Sequence, residues 1–437
     1  MQKPPNTPIT TTPLHQYFTY QNWTPFPFQE TVWHAHQNGQ SGLIHAPTGT
    51  GKTYAAWGGA LLSWMQEHPD PNKWAEMQPP PLQLIWLTPL RALAADTLQA
   101  LQAPIQALNL PWTIQLRTGD TSSYAKQKQL KKPPSTLITT PESLSILLSQ
   151  KNAQKLFAHL QTVVVDEWHE LMGNKRGVQT ELGLARLRRW RPNLRTWGLS
   201  ATLGNLDQAM QALLGAEQTG RLVSGIIPKE VIIDALLPDD ILQFPWAGHM
   251  GLKMLPQVIE AIEEGKTALV FTNTRNQTEN WFQAILAARP EWAGEIALHH
   301  GSLNADTRRW VEENLREGTL RCVVCTSSLD LGVDFPTVDR VLQIGSPKGV
   351  ARLLQRAGRS GHQPGVASRV TCVPSHGFQL LEVAAVRTAV AHGHIEARIP
   401  PDKPLDLLIQ HLVTIALGGG FDPDDLFAEI TSSYAYQ

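Results

Sequence analysis

The segment LIHAPTGTGKT, residues 43–53, joins an apolar run to a loop of small residues that ends in Gly-Lys-Thr. Small residues let backbone N–H groups face inward, and a helix that begins at the Lys-Thr pair directs its positive end at the same point. Such a loop is typical of a phosphate site, here formed by Thr48, Gly49, Thr50, Gly51, Lys52 and Thr53. We expect Lys52 to reach the β- and γ-phosphates of a nucleotide and the Thr53 hydroxyl to bind Mg²⁺.

The context of this loop decides how it is interpreted. Its first position is Ala46, where the strict pattern has glycine, but an apolar run precedes the loop and a helix-compatible segment follows it. A second Gly-Lys-Thr, residues 265–267, precedes the apolar run ALVF instead of following one. We therefore predict a phosphate loop at the first occurrence and a turn at the second.

A phosphate loop also needs acidic partners at the carboxyl end of a neighbouring strand. The segment TVVVDEWH, residues 162–169, supplies two of them directly after a buried run. Asp166 is predicted to bind Mg²⁺ through water, and Glu167 to orient or deprotonate the attacking water. His169 follows the pair and is placed to couple the nucleotide state to the rest of its lobe. The solvated end of a strand is the alternative for such a pair.

Short apolar runs alternate with longer amphipathic stretches along the chain, which predicts a parallel α/β sheet with helices on both faces. The first series comprises residues 41–46, 82–89, 135–141, 162–169 and 196–202, and the second comprises 267–274, 296–302, 320–328, 338–346 and 368–375. A Pro-, Gly- and Asp-bearing region from about Gly215 to Gly248 separates the two series. The architecture is therefore predicted to be two similar α/β lobes.

Length and composition agree with two domains and exclude several classes of protein. The 437 residues exceed the about 100–200 residues of a typical domain, and no apolar run is long enough for a membrane span. The Pro/Thr-rich N-terminus lacks the order of a secretory signal, so we expect a cytoplasmic protein without a membrane partner. Cys322 and Cys325 should point to opposite faces of a strand, against a disulfide or zinc site. The net charge of −1 restricts any nucleic-acid surface to a local groove.

The motifs taken together resemble superfamily 2 helicases of the DExH type. PTGTGKT (47–53), DEWH (166–169), SAT (200–202) and QRAGRSGH (355–362) occur in the order of that superfamily. The chain is most similar to Lhr-type helicases, in particular the ligase-associated DEXH-box branch, over roughly residues 20–420. Further support comes from residues 22–29, 88–96, 139–144, 175–177 and 326–335. The resemblance implies two tandem RecA-like P-loop lobes with parallel sheets, followed by the start of a winged-helix domain.

The resemblance also implies a domain plan. It gives a flexible lead-in (1–20), an ATP-binding lobe (21–215), a linker (216–248), a C-terminal helicase lobe (249–399) and the beginning of a winged helix (400–437). The last part reads as one helix and a short acidic stretch, too little for a complete winged helix. We expect its helix, residues 404–417, to pack on the second lobe and the chain to lack the C-terminal domains of its relatives.

Roles for individual residues follow from the same resemblance. Gln29 is expected to read adenine, with Trp23 either stacking nearby or packing in the core. Most other tryptophans, such as Trp86, Trp190 and Trp281, are predicted to be core residues. The phosphates of a nucleic-acid strand would be gripped by Thr88, Pro89, Arg91, Arg117, Gly119, Thr140 and Glu142 in the first lobe and by Thr272, Arg275, His300, Gly301, Thr326 and Ser327 in the second.

The segment QRAGRSGH carries the second lobe's contribution to catalysis. Arg359 is predicted to be an arginine finger, because a guanidinium stabilises charge on the transferring phosphoryl oxygens. Gln355 and Arg356 should contact the γ-phosphate or the facing acidic motif. Asp334 is expected to couple the ribose or Arg359 to the strand grip. His362 stands where many relatives have a third arginine, in keeping with the Lhr group.

The resemblance implies an ATP- and Mg²⁺-dependent DNA helicase or translocase that moves 3′ to 5′ on single-stranded DNA. Its partners would be single-stranded or tailed duplex DNA, with a role in DNA repair beside proteins such as a ligase or nuclease. Three alternatives stay open at this point: an RNA helicase of the same superfamily, a nucleotide-gated binding module without turnover, and a metal-dependent nuclease. The last lacks a second acidic cluster of suitable spacing.

Overall fold

The first lobe is built on a parallel sheet that contains the predicted phosphate loop. We describe a computed structural model that covers residues 12–216, 218–225, 230–238, 251–330, 338–361 and 367–437. The described part of this sheet has the strand order β3-β4-β2-β5-β6-β1-β7. Its strands are β1 (Gly42–His45), β2 (Leu84–Leu87), β3 (Ile114–Arg117), β4 (Thr136–Thr139), β5 (Thr162–Val165), β6 (Arg195–Ser200) and β7 (Arg221–Ser224).

Helices cover both faces of this sheet, so its central strands are buried on each side. They are α1 (Pro13–Tyr20), α2 (Pro27–Gln37), α3 (Lys52–Glu67), α4 (Arg91–Ala107), α5 (Ser123–Lys131), α6 (Pro141–Leu148), α7 (Ala153–Leu156), α8 (Trp168–Met172), α9 (Lys175–Trp190) and α10 (Leu206–Leu214). Strands β5, β6 and β1 are neighbours in the sheet, and all three run in the same direction. The loops that follow them therefore meet at one edge.

The second lobe repeats this plan with the strand order β10-β11-β9-β12-β13-β8 in its described part. The strands are β8 (Val231–Ala235), β9 (Ala268–Phe271), β10 (Ile296–His299), β11 (Cys322–Cys325), β12 (Arg340–Ile344) and β13 (Ser368–Val373). The helices are α11 (Leu255–Glu263), α12 (Arg275–Ala288), α13 (Ala305–Glu317), α14 (Val350–Ala357) and α15 (Phe378–Ala391). The predicted architecture of two parallel α/β lobes is confirmed.

Several predictions about core residues are also confirmed. Cys322 and Cys325 are free and buried, and they join the hydrophobic clusters on opposite faces of the second sheet. Trp86 and Trp281 are fully buried, and Trp190 is partly buried against the first lobe's core. The side chains of β11 alternate between faces, as the two-residue period of a strand requires.

The segment predicted as a linker, residues 216–248, contributes a strand to each sheet. β7 pairs in parallel with β1, so that Ile44 lies opposite Val223. β8 pairs with β13 at the edge of the second sheet, where Ile233 lies opposite Val370. The sequence analysis did not predict these two strands; β7 is mostly exposed and lacks the apolar run that marks the buried strands.

The C-terminal segment packs on the first lobe and not on the second, which corrects the expectation from sequence. Its helices are α16 (Leu405–Leu417) and α17 (Pro423–Thr431). Leu407, Ile415 and Ile430 form one hydrophobic cluster with residues of α9, among them Val178. The apolar side of α16 is too short to show from sequence which lobe it covers, since both lobes offer helical surfaces.

A buried carboxyl group lies in this junction between α9 and the C-terminal segment. Glu181 is fully buried, and its Oε2 accepts a hydrogen bond from the backbone N–H of Ala435 at 3.0 Å. Burial raises the pKa of Glu181 to about 8, against the smaller opposing effects of this hydrogen bond and of Arg188. The neutral acid is therefore the form that the folded junction favours.

The free energy of unfolding should consequently fall as the pH rises from about 4.5, the ordinary pKa of the group, to about 8, its pKa when folded. The folded state binds the proton more tightly, so stability is fully present below this window and is lost across it. Glu181→Gln should remove this contribution, which urea unfolding of both proteins at pH 6 and pH 8.5 would measure. Parallel pH dependences for the parent and the variant would contradict the assignment.

No helix in the described ranges combines the length and apolar character needed to cross a membrane.

Candidate active site between the lobes

The phosphate loop follows β1 and adopts the backbone shape that its glycines permit. Gly49 and Gly51 have φ of 77° and 80°, in the left-handed region that favours glycine. Helix α3 begins at Lys52, so the N–H groups of its first turn have no acceptor within the helix. These donors and the two turns fit an anion at this point.

Gln29 contacts the phosphate loop directly. Its Nε2 donates to the carbonyl of Gly51 at 2.9 Å, and its Oε1 accepts from the N–H of Phe26 at 2.8 Å. A Cβ at Gly51 would lie 2.5 Å from that Nε2. Trp23 is 46% exposed and packs edge-on or tilted against aromatic rings of its own lobe, including Tyr17 and Tyr54. Gln29 therefore lies beside the loop, and Trp23 belongs to an aromatic cluster next to it.

Lys52 lies inside the loop. Its ammonium donates to the carbonyls of Ala46 and Pro47 at 2.7 and 2.9 Å. Burial lowers the pKa of Lys52, while the nearby charges of Glu167 and Asp166 oppose that shift. The two carboxylates are thus close enough to the ammonium to form one charge cluster with it.

The acidic pair lies at the carboxyl end of β5, beside the loop. Asp166 Oδ2 accepts from Trp86 Nε1 at 3.2 Å, and Oδ1 accepts from the N–H of Glu167 at 2.9 Å. Burial, followed by the charge of Glu167, raises the pKa of Asp166 to about 7. These two hydrogen bonds fix the position of the carboxylate. A bound cation would stabilise its charged form, which burial and Glu167 disfavour.

Glu167 is held in a costly conformation. Its φ is 45°, a left-handed value that non-glycine residues adopt where function or packing requires it. Its Oε2 is buried, lacks a hydrogen-bond partner among the described residues, and lies 3.5 Å from His169 Nδ1. An oriented carboxylate oxygen of this kind can accept a hydrogen bond or a proton from a water.

His169 connects this pair to the second lobe. Burial lowers the pKa of His169 to about 4, so the imidazole is neutral. Gln355 Nε2 lies 2.7 Å from His169 Nε2. On the other side of the ring, the backbone N–H of Ala201 in the SAT motif donates to His169 Nδ1 at 3.4 Å. The second lobe thus contacts the acidic motif through Gln355.

Arg359 lies near the phosphate loop. It is 5% exposed, and its Nη2 donates to the carbonyl of Asp330 at 2.8 Å. Its charge contributes to the lowered pKa of Lys52, and a Cβ at the adjacent Gly358 would lie 3.4 Å from Thr48 Oγ1. The second lobe therefore brings a guanidinium to the edge of the loop.

Arg356 does not share this position. Its guanidinium forms a two-pronged ion pair with Asp330 at 2.7 and 3.2 Å, also donates to Gln343, and lies 4.6 Å above the ring of Phe271. The residue is 1% exposed inside the second lobe. The expectation that Arg356 contacts the γ-phosphate or the facing acidic motif is not supported by the structure, because Asp330 and Gln343 hold its guanidinium inside the second lobe.

The predicted strand grips of the first lobe lie at one edge of its sheet, after β2, β3 and β4. Thr140 caps α6, and Thr88 is buried with its hydroxyl bonded to the carbonyl of Leu90. Arg176 donates to the Pro89 carbonyl at 2.6 Å and to Glu142 Oε1 at 2.5 Å. Arg176 was not singled out from sequence, although its motif, KRG after DEWH, had been noted. It joins two of the predicted grips.

Arg91, Gly119 and Arg117 differ in what they offer to a strand. Arg91 is exposed and pairs with Asp120 at 2.7 Å, and a Cβ at Gly119 would lie 2.5 Å from its Nη2. Arg117 is 4% exposed and donates to the carbonyl of Lys126 and to Gln129. Burial lowers the pKa of Arg117. Its side chain faces the lobe interior, so the structure does not support the predicted contact with a strand.

The predicted grips of the second lobe follow β9, β10 and β11, which are neighbours in its sheet. Gly301 and Ser327 are exposed, and Arg275 pairs with Glu279 at 2.8 Å on the surface of α12. Thr272 is fully buried and bonds Thr278, His300 is 4% exposed with Nδ1 accepting from Ser302, and Thr326 bonds Ser328. The exposed members can contact a ligand directly, whereas the buried ones shape the loops. Asp334 and His362 lie outside the described residues.

Three family matches divide the chain in agreement with this geometry. Residues 26–209 match the DEAD/DEAH box helicase family, residues 251–363 the helicase conserved C-terminal domain, and residues 388–437 the winged helix domain of large helicase-related protein. The chain belongs to the Lhr-type helicases.

Individual relatives of this family support the assignment. The chain is similar to ATP-dependent helicase Lhr-Core protein 2 of Thermococcus barophilus, with 35% identity over 98% of this chain and 51% of the relative. It is also similar to the Lhr helicase/uracil glycosylase of Escherichia coli, with 30% identity over 93% of this chain and 30% of that protein. The chain spans about half the length, or less, of these relatives.

A solved structure of the family has the same arrangement. The Mycobacterium smegmatis helicase Lhr bound to ssDNA and AMP-PNP matches 97% of this chain and 55% of its own, at 31% identity with a TM-score of 0.84. The DUF1998 helicase MrfA bound to DNA and AMPPNP shares the fold, with a TM-score of 0.78 at 24% identity.

Proposed function

We propose that this protein is an ATP-dependent DNA helicase or translocase that moves 3′ to 5′ on single-stranded DNA and acts in DNA repair. One observation supports the ATPase activity: residues of the two lobes face each other across one site. The phosphate loop and acidic pair lie on the first lobe, and Gln355 and Arg359 approach them from the second. This division lets hydrolysis govern how tightly the lobes associate.

The residues present fit ATP and Mg²⁺. The glycines of the loop and the start of α3 provide a phosphate cradle, and Gln29 lies where it could read the base. Thr53 and Asp166 would hold Mg²⁺, whose oxygen ligands are of this type. The ion, when bound, supplies charge neutralisation for the phosphates. Asp166, buried with a raised pKa, gains most from such a cation.

The chain's own groups account for the chemical step. Glu167 orients or deprotonates the attacking water with the buried Oε2 that His169 faces. Lys52 and Arg359 stabilise the charge that develops on the transferring phosphoryl group from opposite sides. Gln355 contacts His169 at 2.7 Å, and this contact couples closure of the second lobe to the acidic motif.

The DNA assignment is supported by the relative that was solved with ssDNA, at 31% identity over 97% of this chain. The candidate grips of both lobes lie after neighbouring strands, which would place them along a single nucleic-acid strand. Their exposed arginines, Arg91 and Arg275, can contact phosphates, which carry no base sequence. The polarity and the role in repair are carried over from the family resemblance.

We expect single-stranded DNA to stimulate ATP hydrolysis more than RNA of the same sequence and length. The measurement is ATPase rate with each oligomer, with and without Mg²⁺, and then with DNA blocked at its 3′ or 5′ end. Binding should weaken steeply with salt, since contacts to phosphates release counterions. Greater stimulation by RNA would make the protein an RNA helicase, and binding without any turnover would make it a nucleotide-gated module.

A further inference from the structure

The segment between α15 and α16, residues 392–404, makes specific contacts with both lobes. On the second lobe, the carboxylate of Glu396 accepts from the N–H of Val350 at 3.0 Å and from the N–H of Ala351 at 3.1 and 3.2 Å. These amides open α14, where a carboxylate is stabilised by the free N–H groups and by the helix dipole. Glu396 therefore fixes the beginning of α14.

The fit of this carboxylate depends on the glycine that precedes the helix. Gly349 has a φ of 143°, and a Cβ there would overlap Glu396 Oε1. The neighbouring position thus has no side chain that could block the approach. Glu396 is half-buried, so its interactions with the amides are only partly exposed to solvent.

The same segment is tied to the first lobe only two residues later. Asn205 Nδ2 donates to the carbonyl of Arg398, and the N–H of Arg398 donates to Asn205 Oδ1, both at 2.9 Å. A Cβ at Gly204 would overlap the carbonyl of Ile395, so the two backbones are in direct contact. Gly204 and Asn205 follow the SAT motif at the end of β6.

Ala351 is contacted from both directions. Glu396 accepts from its N–H, and Thr202 of the SAT motif lies 3.4 Å from its carbonyl, with the hydroxyl as donor. Helix α14 carries Gln355, and Arg359 follows one turn later. The position of this helix therefore decides where both groups lie relative to the phosphate loop.

We propose that Glu396 is a positioning residue for ATP hydrolysis: it fixes α14 while Asn205 fixes the same segment on the first lobe, so that Gln355 and Arg359 are brought to the phosphate loop. The inference rests on the proposed ATPase function. Glu396 touches no substrate and acts through α14. Misplacing a catalytic group by about 1 Å can cost on the order of 100-fold in rate.

Steady-state ATPase kinetics with single-stranded DNA would test the inference. Glu396→Ala should lower kcat by about tenfold or more and leave the KM for ATP close to that of the parent, because the first lobe supplies most ground-state contacts. The kcat of Glu396→Gln should lie between those of the parent and Glu396→Ala, since its amide keeps one acceptor oxygen. Glu382→Gln, on the exposed face of α15, is the matched control and should equal the parent. Equal kcat for Glu396→Ala and the parent, or a change confined to KM, would overturn the proposal.

Asn205→Ala tests the other end of the segment, and it serves also if Glu396→Ala fails to fold. It should lower kcat in the same way, and the double variant should add little, because both residues position one helix. Strict additivity of the two effects would argue against a shared action. An inactive parent would contradict the proposed function itself, which is a different outcome from an active parent with an equally active variant.

An interlobe distance measurement tests the positioning role of Glu396 separately from the proposed ATPase function, because it needs no ATP turnover. The native cysteines of the described residues are buried, so spin labels can be directed to Gln154→Cys on the first lobe and Glu313→Cys on the second, both exposed. With AMP-PNP bound, the parent should give a narrow interlobe distance distribution and Glu396→Ala a broader or longer one. An unchanged distribution in the variant would refute the positioning role even if the parent hydrolysed no ATP.

Discussion

Glu167→Gln is expected to abolish ATP turnover while nucleotide binding survives. In the proposed mechanism its carboxylate acts on water in the transition state, and general-base assistance is typically worth about 10²–10⁴-fold. The amide keeps the shape of the side chain but accepts a proton poorly. Turnover would be measured by phosphate release and binding by titration with a fluorescent ATP analogue. Hydrolysis at the parent rate would show that another group handles the water.

Lys52→Ala provides the contrast for this variant. In the proposed mechanism the lysine contacts phosphate already in the ground state, so its loss should impair both binding and turnover. In the structure its ammonium lies among the loop carbonyls of Ala46 and Pro47, 7% exposed, where phosphate oxygens would be its alternative partners. If both variants are inactive but only Glu167→Gln binds nucleotide, the result assigns phosphate binding to Lys52 and action on water to Glu167. Identical binding in both would contradict the assigned role of the lysine.

Arg359→Ala is expected to lose most of the ATPase rate, because an arginine finger is worth about 10³–10⁵-fold in other phosphoryl-transfer proteins. Its guanidinium is near enough to Lys52 to lower that residue's pKa, and it comes from the opposite lobe. DNA affinity without nucleotide should change little, since Arg359 is not among the predicted strand grips. Fluorescence anisotropy with labelled DNA would check this point beside the ATPase rate.

Arg356→Ala should also lose ATPase activity, but because the protein is destabilised and not because a catalytic group is removed. Removing Arg356 leaves the buried Asp330 carboxylate with the longer 3.5 Å contact to Arg352, and breaking a buried ion pair costs up to about 3–5 kcal/mol. We therefore expect a lowered thermal midpoint of unfolding together with lost activity, whereas Arg359→Ala should unfold near the parent's midpoint. A stable but inactive Arg356→Ala beside an active Arg359→Ala would move the finger to Arg356.

The sequence by itself determined the two-lobed plan and the chemical core of the site. Residues 47–53 and Asp166 with Glu167 each follow an apolar run at a strand's carboxyl end, and such ends meet in a parallel sheet. Their neighbourhood could thus be inferred from local pattern alone. The order of the motifs also indicated the helicase family, which the family matches now show.

Tertiary structure decided which side of each element faces the site. Gln355 and Arg356 are adjacent in sequence, but successive helical residues point about 100° apart, and only packing determines which one faces the other lobe. Arg117 was predicted as a grip from the family resemblance of its motif, whereas its guanidinium finds buried acceptors at the edge of β3.

Long-range pairing was equally hidden from sequence. β7 and β8 are recognisable as strands only because β1 and β13 accept them as partners, since their own residues are mostly exposed or half-buried. The docking of α16 on the first lobe depends on an apolar surface of α9 that is distant in the chain. Glu396 carries no motif at all, and its importance arises because the fold brings its carboxylate to the first amides of α14, 45 and 46 residues earlier. Contacts of this kind depend on the packing of whole elements, which no local pattern encodes.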